Sequence, residues 1–66
     1  MKIYINQKET EVETGKTVGD LAKAQNLPEN GVAIAVNGKL VQRKDWVDTE
    51  LKENDAVLIV NAAYGG

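Results

Sequence analysis

The stretch Ala56-Val57-Leu58-Ile59-Val60 decides the fold, because it is the most apolar run of the sequence. Its β-branched residues predict a strand. Successive side chains of a strand point to opposite faces, so Val57 and Ile59 are expected on one face and Leu58 and Val60 on the other. One face is expected to pack on a helix. The other face needs a different partner.

Beyond this strand the sequence ends in small residues and one bulky residue, Tyr64. The positions concerned are Ala62, Ala63, Tyr64, Gly65 and Gly66. They are interpreted as a flexible tail, 62–66, that follows a folded domain, 1–61. A frayed end is one reading, since termini are usually poorly ordered. The other is that the terminal carboxylate is the functional group, because glycines without a Cβ can thread a narrow channel of a partner.

The start of the chain predicts a β-hairpin. Residues 2–6 alternate with Ile3 and Ile5 on one face, and residues 9–13 alternate again, so Gln7 and Lys8 are expected to form the turn. Glutamates occupy the second strand at alternate positions. Paired carboxylates can perform acid–base chemistry, but charges on an exposed edge strand also discourage edge-to-edge pairing. We favour the edge strand.

A helix is expected next. Thr17 opens it, and Asp20 three residues later completes a capping box. A helix of about ten residues is predicted, and the segment Asn26-Leu27-Pro28 is expected to end it, because proline biases the preceding residue away from helical geometry. The apolar residues that share one face at helical spacing are Val18, Leu21 and Ala22.

A second hairpin follows the helix. Residues 32–36 form a strand with large residues on one face and alanines on the other, and Asn37-Gly38 is a strong signal for a two-residue turn into a short strand, 39–41. Residues 42–53 predict a charged loop with a helical turn near 44–46. Trp46 is expected to cover the core, with an interface role as the alternative. Leu51 is expected to fill the core's lower end.

One face of this sheet is predicted to remain uncovered, because the sequence offers no second helix. Strand alternation places four apolar residues on it, and they form a predicted partner-binding patch: Leu58, Val60, Tyr4 and Ala35. Scattered exposed apolar residues are the alternative interpretation.

Composition excludes several functions. The 66 residues make one small domain, and cysteine, histidine and serine are all absent, so the usual nucleophiles, imidazole base and zinc ligands are missing. The net charge of −2 disfavours nucleic acid as a partner. No apolar run approaches the length of a membrane span or a signal peptide. We therefore expect a cytoplasmic protein, monomeric when free, that binds no metal or cofactor.

The element order resembles the β-grasp fold of ubiquitin. That resemblance implies an α+β fold with a mixed sheet of four to five strands, one main helix packed on one face, and a flexible C-terminal Gly-Gly tail. The first and last strands are then expected to lie side by side and parallel, with the helix placed by the right-handed crossover rule.

Several segments go further and resemble the thiamine-biosynthesis sulfur carrier family (ThiS). They are Val36-Asn37-Gly38, Val41-Gln42-Arg43-Lys44-Asp45-Trp46, Leu51-Lys52-Glu53-Asn54-Asp55 and Gly65-Gly66. The resemblance implies a carrier rather than an enzyme. Its terminal carboxylate, here that of Gly66, is adenylated with ATP and magnesium by an adenylyltransferase of the ubiquitin-activating type. Sulfur from cysteine, delivered through a desulfurase, then makes a thiocarboxylate that thiazole synthase uses.

Three alternatives stay open at this point. The first is a carrier of the same fold for molybdopterin synthesis, and the second is a ubiquitin-like protein modifier. The third belongs to another class: a β-grasp binding or regulatory module whose terminal glycines are inert, since a fold alone does not fix a function.

Overall fold

The structure is a computed structural model that describes residues 1–27 and 31–61. It contains one five-stranded mixed sheet with strand order β2-β1-β5-β3-β4, an α-helix and a 3₁₀ helix. In chain order the elements are β1 (Lys2–Ile5), β2 (Lys8–Glu11), α1 (Val18–Ala24), β3 (Val32–Val36), β4 (Lys39–Val41), the 3₁₀ helix (Arg43–Asp48) and β5 (Ala56–Asn61). The predicted β-grasp architecture is confirmed.

The last strand occupies the centre of the sheet. On one side β5 pairs in parallel with β1, with Tyr4 opposite Ala56 and Ile5 opposite Val57. On its other side β5 pairs antiparallel with β3 along the whole of that strand. The expected parallel pairing of the first and last strands is therefore confirmed. A central strand is buried on one or both faces, which explains its apolar sequence.

The first hairpin turns one residue earlier than the sequence predicts. The turn residues are Asn6 and Gln7, with φ of 50° and 71°, rather than Gln7 and Lys8. Positive φ at both positions defines the turn type whose twist matches paired strands. Lys8 consequently starts β2, which lies at the edge of the sheet with its glutamates exposed. The edge-strand interpretation is correct.

The helix begins as expected and ends sooner. The Thr17 hydroxyl accepts from the Asp20 backbone N–H at 3.2 Å, and the Asp20 carboxylate accepts from the Thr17 backbone N–H at 3.0 Å. The hydrogen bond that the Asp20 carboxylate accepts from the Thr17 backbone N–H, together with one from the Thr17 hydroxyl, lowers the pKa of the Asp20 carboxyl, so the carboxylate is ionised at neutral pH beside the positive end of the helix dipole.

The helix has 7 residues instead of about ten, and its end is local. Asn26 adopts φ of 56°. Its N–H donates to the carbonyl of Lys23, while the N–H of Leu27 donates to the carbonyl of Ala22. This pair of bonds is a Schellman motif with asparagine in the left-handed position. Asn26 therefore ends the helix before Pro28, which lies outside the described residues.

The core lies between α1 and one face of the sheet. Ile3, Val18 and Ile34 are completely buried. Leu51 is buried as predicted, because its N–H and the carbonyl of Lys16 hold the segment before β5 against the start of the helix. The remaining buried apolar residues are Leu21, Ala22, Trp46 and Val57.

Trp46 covers the core and is not an exposed anchor. It belongs to the 3₁₀ helix, which replaces the expected single helical turn, and only 7% of it is exposed. Its indole N–H donates to the carbonyl of Val41 at 2.9 Å, so the polar end of the ring has a partner. The Arg43 guanidinium lies 5.1 Å from the ring centroid and shields the outer side.

The two faces of the sheet predict opposite responses to truncation. Ile34→Ala removes a completely buried side chain and is expected to lower the free energy of unfolding by about 2–5 kcal/mol. Leu58→Ala, at a position that is 52% exposed, is expected to cost about 0.5 kcal/mol or less. Urea unfolding followed by tryptophan fluorescence measures both. Equal losses would mean that the faces are assigned wrongly.

Candidate functional site

The sheet face opposite α1 carries a stripe of exposed apolar side chains across its centre. Strand register aligns them: Ala35 of β3 lies opposite Leu58 of β5, and Ala33 lies opposite Val60. Leu58 is 52% and Val60 46% exposed. Because the neighbouring alanines are small, the side chains of Leu58 and Val60 project from the surface of the sheet. We call the surface formed by Leu58, Val60, Ala33 and Ala35 the open face. Tyr4 and Leu40, described below, also belong to it.

Tyr4 extends the open face onto β1. It lies beside Ala56 in the parallel register and is half-buried. A shallow groove is lined by Tyr4, Ala35 and Leu58. The structure therefore brings together the four residues that the sequence placed on this face, while their role in binding a partner stays a prediction.

One further residue, Leu40, was not predicted to lie on the open face, although it is the most exposed large apolar residue there. It lies in β4 directly opposite Ala35 and is 68% exposed. The signal was present in the sequence. A two-residue turn at Asn37-Gly38 pairs Val36 with Lys39, and hence Ala35 with Leu40. The apolar stripe thus runs over three neighbouring strands, β4, β3 and β5.

Charged residues border the open face on the β1–β2 side. The Lys2 ammonium lies 5.7 Å from the centroid of the Tyr4 ring. Interaction with the Tyr4 side chain, helped by the negative charges of Glu9 and Glu53, raises the pKa of Lys2. Lys2 is therefore a cation at neutral pH. An apolar centre with a charged border is the usual composition of a protein-binding surface.

The first residue of β5 is fixed by a polar cluster around Asp55. The Asn37 side chain donates to the Asp55 carboxylate at 2.9 Å and accepts from the Ala56 N–H at 2.9 Å. The other carboxylate oxygen of Asp55 accepts from the Lys52 N–H at 2.8 Å. Asp55 is only 8% exposed, and these bonds compensate its burial. The Asn37 turn and β5 are thereby joined.

Asn6 contacts β5 farther along the strand, at Val57 and Ile59. Its side-chain oxygen accepts from the Ile59 N–H at 2.8 Å, and its side-chain N–H₂ donates to the Ile59 carbonyl at 3.3 Å. The Asn6 backbone N–H donates to the Val57 carbonyl at 2.8 Å. Two asparagine turn residues thus contact β5, Asn37 at its first residue and Asn6 in its second half.

The predicted tail residues Ala62, Ala63, Tyr64, Gly65 and Gly66 lie outside the described residues. Within 1–27 and 31–61 no group of three or more histidine, cysteine, aspartate or glutamate side chains is placed to hold a metal ion. No helix in those ranges is long and apolar enough to cross a membrane. The open face itself consists of aliphatic and aromatic groups suited to burial against another surface.

Comparisons with known proteins agree with one another. The model of the ThiS family matches residues 2–66. The sulfur carrier protein ThiS of Escherichia coli is 27% identical over 66 residues, which cover 100% of both chains. The crystal structure of a thiamine biosynthesis protein (ThiS) from Geobacter metallireducens superposes with a TM-score of 0.82 at 25% identity, covering 91% of each chain. A solution structure of a thiamine biosynthesis protein from the same organism gives a TM-score of 0.75 at 25% identity, covering 91% of this chain and 81% of that one.

Proposed function

We propose that this chain, which belongs to the ThiS family, is a sulfur carrier of thiamine biosynthesis whose reactive group is the carboxylate of Gly66. The observation that carries the proposal is the family match along the chain, which includes the terminal Gly65-Gly66. The full-length similarity to a protein named as a sulfur carrier supports it. In this role the chain is a protein co-substrate and not a catalyst.

Activation of the carboxylate comes first. A carboxylate is a poor electrophile, because its charge is delocalised and oxide is a poor leaving group. In the proposed reaction a carboxylate oxygen of Gly66 attacks the α-phosphorus of ATP and pyrophosphate leaves, which gives an acyl-adenylate. An adenylyltransferase of the ubiquitin-activating type performs this step with magnesium, so the nucleotide and the metal belong to the partner. This chain binds no cofactor of its own.

Sulfur replaces the adenylate in the second step. A persulfide, derived from cysteine through a desulfurase, attacks the acyl carbon and AMP departs, which leaves an acyl disulfide. A thiol reductant then cleaves the S–S bond and is itself oxidised to a disulfide. The product is a thiocarboxylate at Gly66, which donates its sulfur to thiazole synthase. The inventory of the chain fits this chemistry, since it has no cysteine and carries no thiol of its own. A narrow channel of a partner can accept the small residues before Gly66, which are Ala62, Ala63 and Gly65. The larger Tyr64 is proposed to bind at the mouth of that channel.

The open face supplies the docking surface in this proposal. It lies on β5, the strand that runs toward the tail, so a partner that covers Leu58 and Val60 holds the tail near its own active site. Tethering of this kind raises the effective concentration of the reactive group, and a short linker reaches the millimolar range. The proposed carrier acts in the cytoplasm and is a monomer when free.

The central reaction is directly measurable. We expect that the chain, incubated with its cognate adenylyltransferase, ATP, magnesium, cysteine, a desulfurase and a thiol reductant, gains the mass difference between sulfur and oxygen. Intact-mass spectrometry detects the change. A chain that lacks Gly66 is the matched control and is expected to keep its mass.

Two outcomes would contradict the proposal. An unchanged mass of the full chain, under conditions in which an established carrier reacts with its own enzymes, argues for a binding module with an inert tail. A mass gain that persists after removal of Gly66 would place the reactive group elsewhere. Donation to molybdopterin synthesis is distinguished by offering the loaded chain to thiazole synthase and following the return to the original mass.

Docking through the open face predicts a position-specific effect of charge. Leu58→Glu is expected to weaken adenylyltransferase binding by about 2 kcal/mol, roughly thirtyfold in the dissociation constant, because it buries a carboxylate in an apolar contact. Val47→Glu is the matched control: Val47 is 70% exposed but belongs to the 3₁₀ helix away from the open face. Isothermal titration calorimetry measures both. Equal effects, or none, would argue against docking through this face.

A further inference from the structure

The contact between Asn6 and Ile59 carries a further inference. We propose that Asn6 is a positioning residue: its carboxamide fixes β5 at Ile59, two residues before the strand ends at Asn61, and thereby the direction in which the tail leaves the domain. The inference rests on the proposed function, because it concerns the delivery of Gly66 to the activating enzyme. It assigns a role to a side chain outside both the core and the tail.

β1 ends while β5, its parallel neighbour, continues. β1 and β5 are parallel for only two residue pairs, Tyr4 with Ala56 and Ile5 with Val57. The chain then turns away at Asn6 and Gln7. Two backbone hydrogen bonds join β1 to this segment. The Tyr4 N–H donates to the carbonyl of Asp55, just before β5, and the Asn6 N–H donates to the carbonyl of Val57. At Ile59 no backbone of β1 is left to continue the ladder.

The Asn6 carboxamide takes the place of that missing backbone. A carboxamide has the same donor and acceptor groups as a peptide unit. It accepts from the Ile59 N–H and donates to the Ile59 carbonyl at once, so one side chain adds one rung to a parallel ladder. Asparagine also tolerates the positive φ of 50° that the turn requires. Aspartate would keep the acceptor alone, and glycine would keep the turn but neither bond.

The location of this rung decides its consequence. Past Ile59, β5 is paired through β3, where Val32 lies opposite Asn61. On the β1 side, the bonds to Ile59 are the last contacts of β5 within the described residues. Loss of the rung releases β5 at Ile59 on one side, while the strand stays paired with β3. The tail then follows a strand that is held less rigidly. We expect this to disturb the alignment of the Gly66 carboxylate in the activating enzyme more than the docking of the domain. Asn6 also borders the groove that Tyr4 and Leu58 line, so the test measures docking separately from rate.

The chain offers a matched control at the opposite end of the same strand. Asn37 is also the first residue of a two-residue turn, with φ of 52°, and its side chain also bonds to β5, at Ala56. It bonds to Asp55 as well, so Asn37→Gly is expected to destabilise the fold at least as much as Asn6→Gly. A purely structural role predicts that activity follows stability in both variants.

The test compares Asn6→Gly, Asn6→Asp and Asn37→Gly with the native chain. Thiocarboxylate formation is followed by intact mass with the cognate adenylyltransferase, ATP, magnesium, cysteine, a desulfurase and a thiol reductant, below the melting temperature of every variant. We expect Asn6→Gly to lower the maximal rate roughly tenfold, since small misalignments of reacting groups have effects of this order or larger. The half-saturating carrier concentration is expected to stay unchanged. Asn37→Gly is expected to keep the native rate.

Hydrogen exchange at Ile59 provides a readout that is independent of activity. The Ile59 amide is expected to exchange faster in Asn6→Gly and to stay protected in Asn37→Gly and in Asn6→Asp, which retains the acceptor oxygen. The inference is overturned if Asn6→Gly and Asn37→Gly lose rate in proportion to stability, if the half-saturating concentration changes instead of the maximal rate, or if Ile59 exchange is unaltered. A native chain that gains no sulfur refutes the proposed function itself, which keeps the two failures apart.

Discussion

The parallel pairing of β1 with β5 is the constraint on which the rest of the structure depends. It is short, with Tyr4 opposite Ala56 and Ile5 opposite Val57, yet it joins the two ends of the chain at the middle of the sheet. Because parallel neighbours need a long crossover, the helix is carried to one face, where it completes the core. The last strand is then central, and one side of it lies on the uncovered face.

This arrangement lets one strand serve two purposes. Val57 is buried against the helix while Leu58, one residue later, is half exposed on the other side. The strand that closes the core is thus also the strand that presents the open face and leads to the tail. Asparagines at both turns bond to it, Asn37 at its start and Asn6 near its end. In the proposed carrier, the Asn37 bonds contribute to the stability of the domain, whereas the Asn6 bonds also position the strand that precedes the tail.

Much of this architecture could be predicted from the sequence, because alternation along β5 and the Asn37-Gly38 turn are local signals. Other features depend on less common local choices. The first turn was misplaced because Gln7 adopts positive φ, a conformation unusual for that residue. The helix was predicted too long because Asn26, not a proline, ends it. Side-chain hydrogen bonds between distant segments could not be predicted: the Asn6–Ile59 bonds join residues 53 positions apart. Leu40 was overlooked, although the Asn37-Gly38 turn fixes the register that places it on the open face.

The central claim is that this chain carries sulfur for the thiazole of thiamine on Gly66. Deletion of its gene in its own host tests that claim most directly. The account predicts a strain that grows only when thiamine or its thiazole moiety is supplied, and that is rescued by the full-length gene but not by one that lacks the Gly66 codon. Growth of the deletion strain without either supplement, or rescue by the truncated gene, would contradict the account.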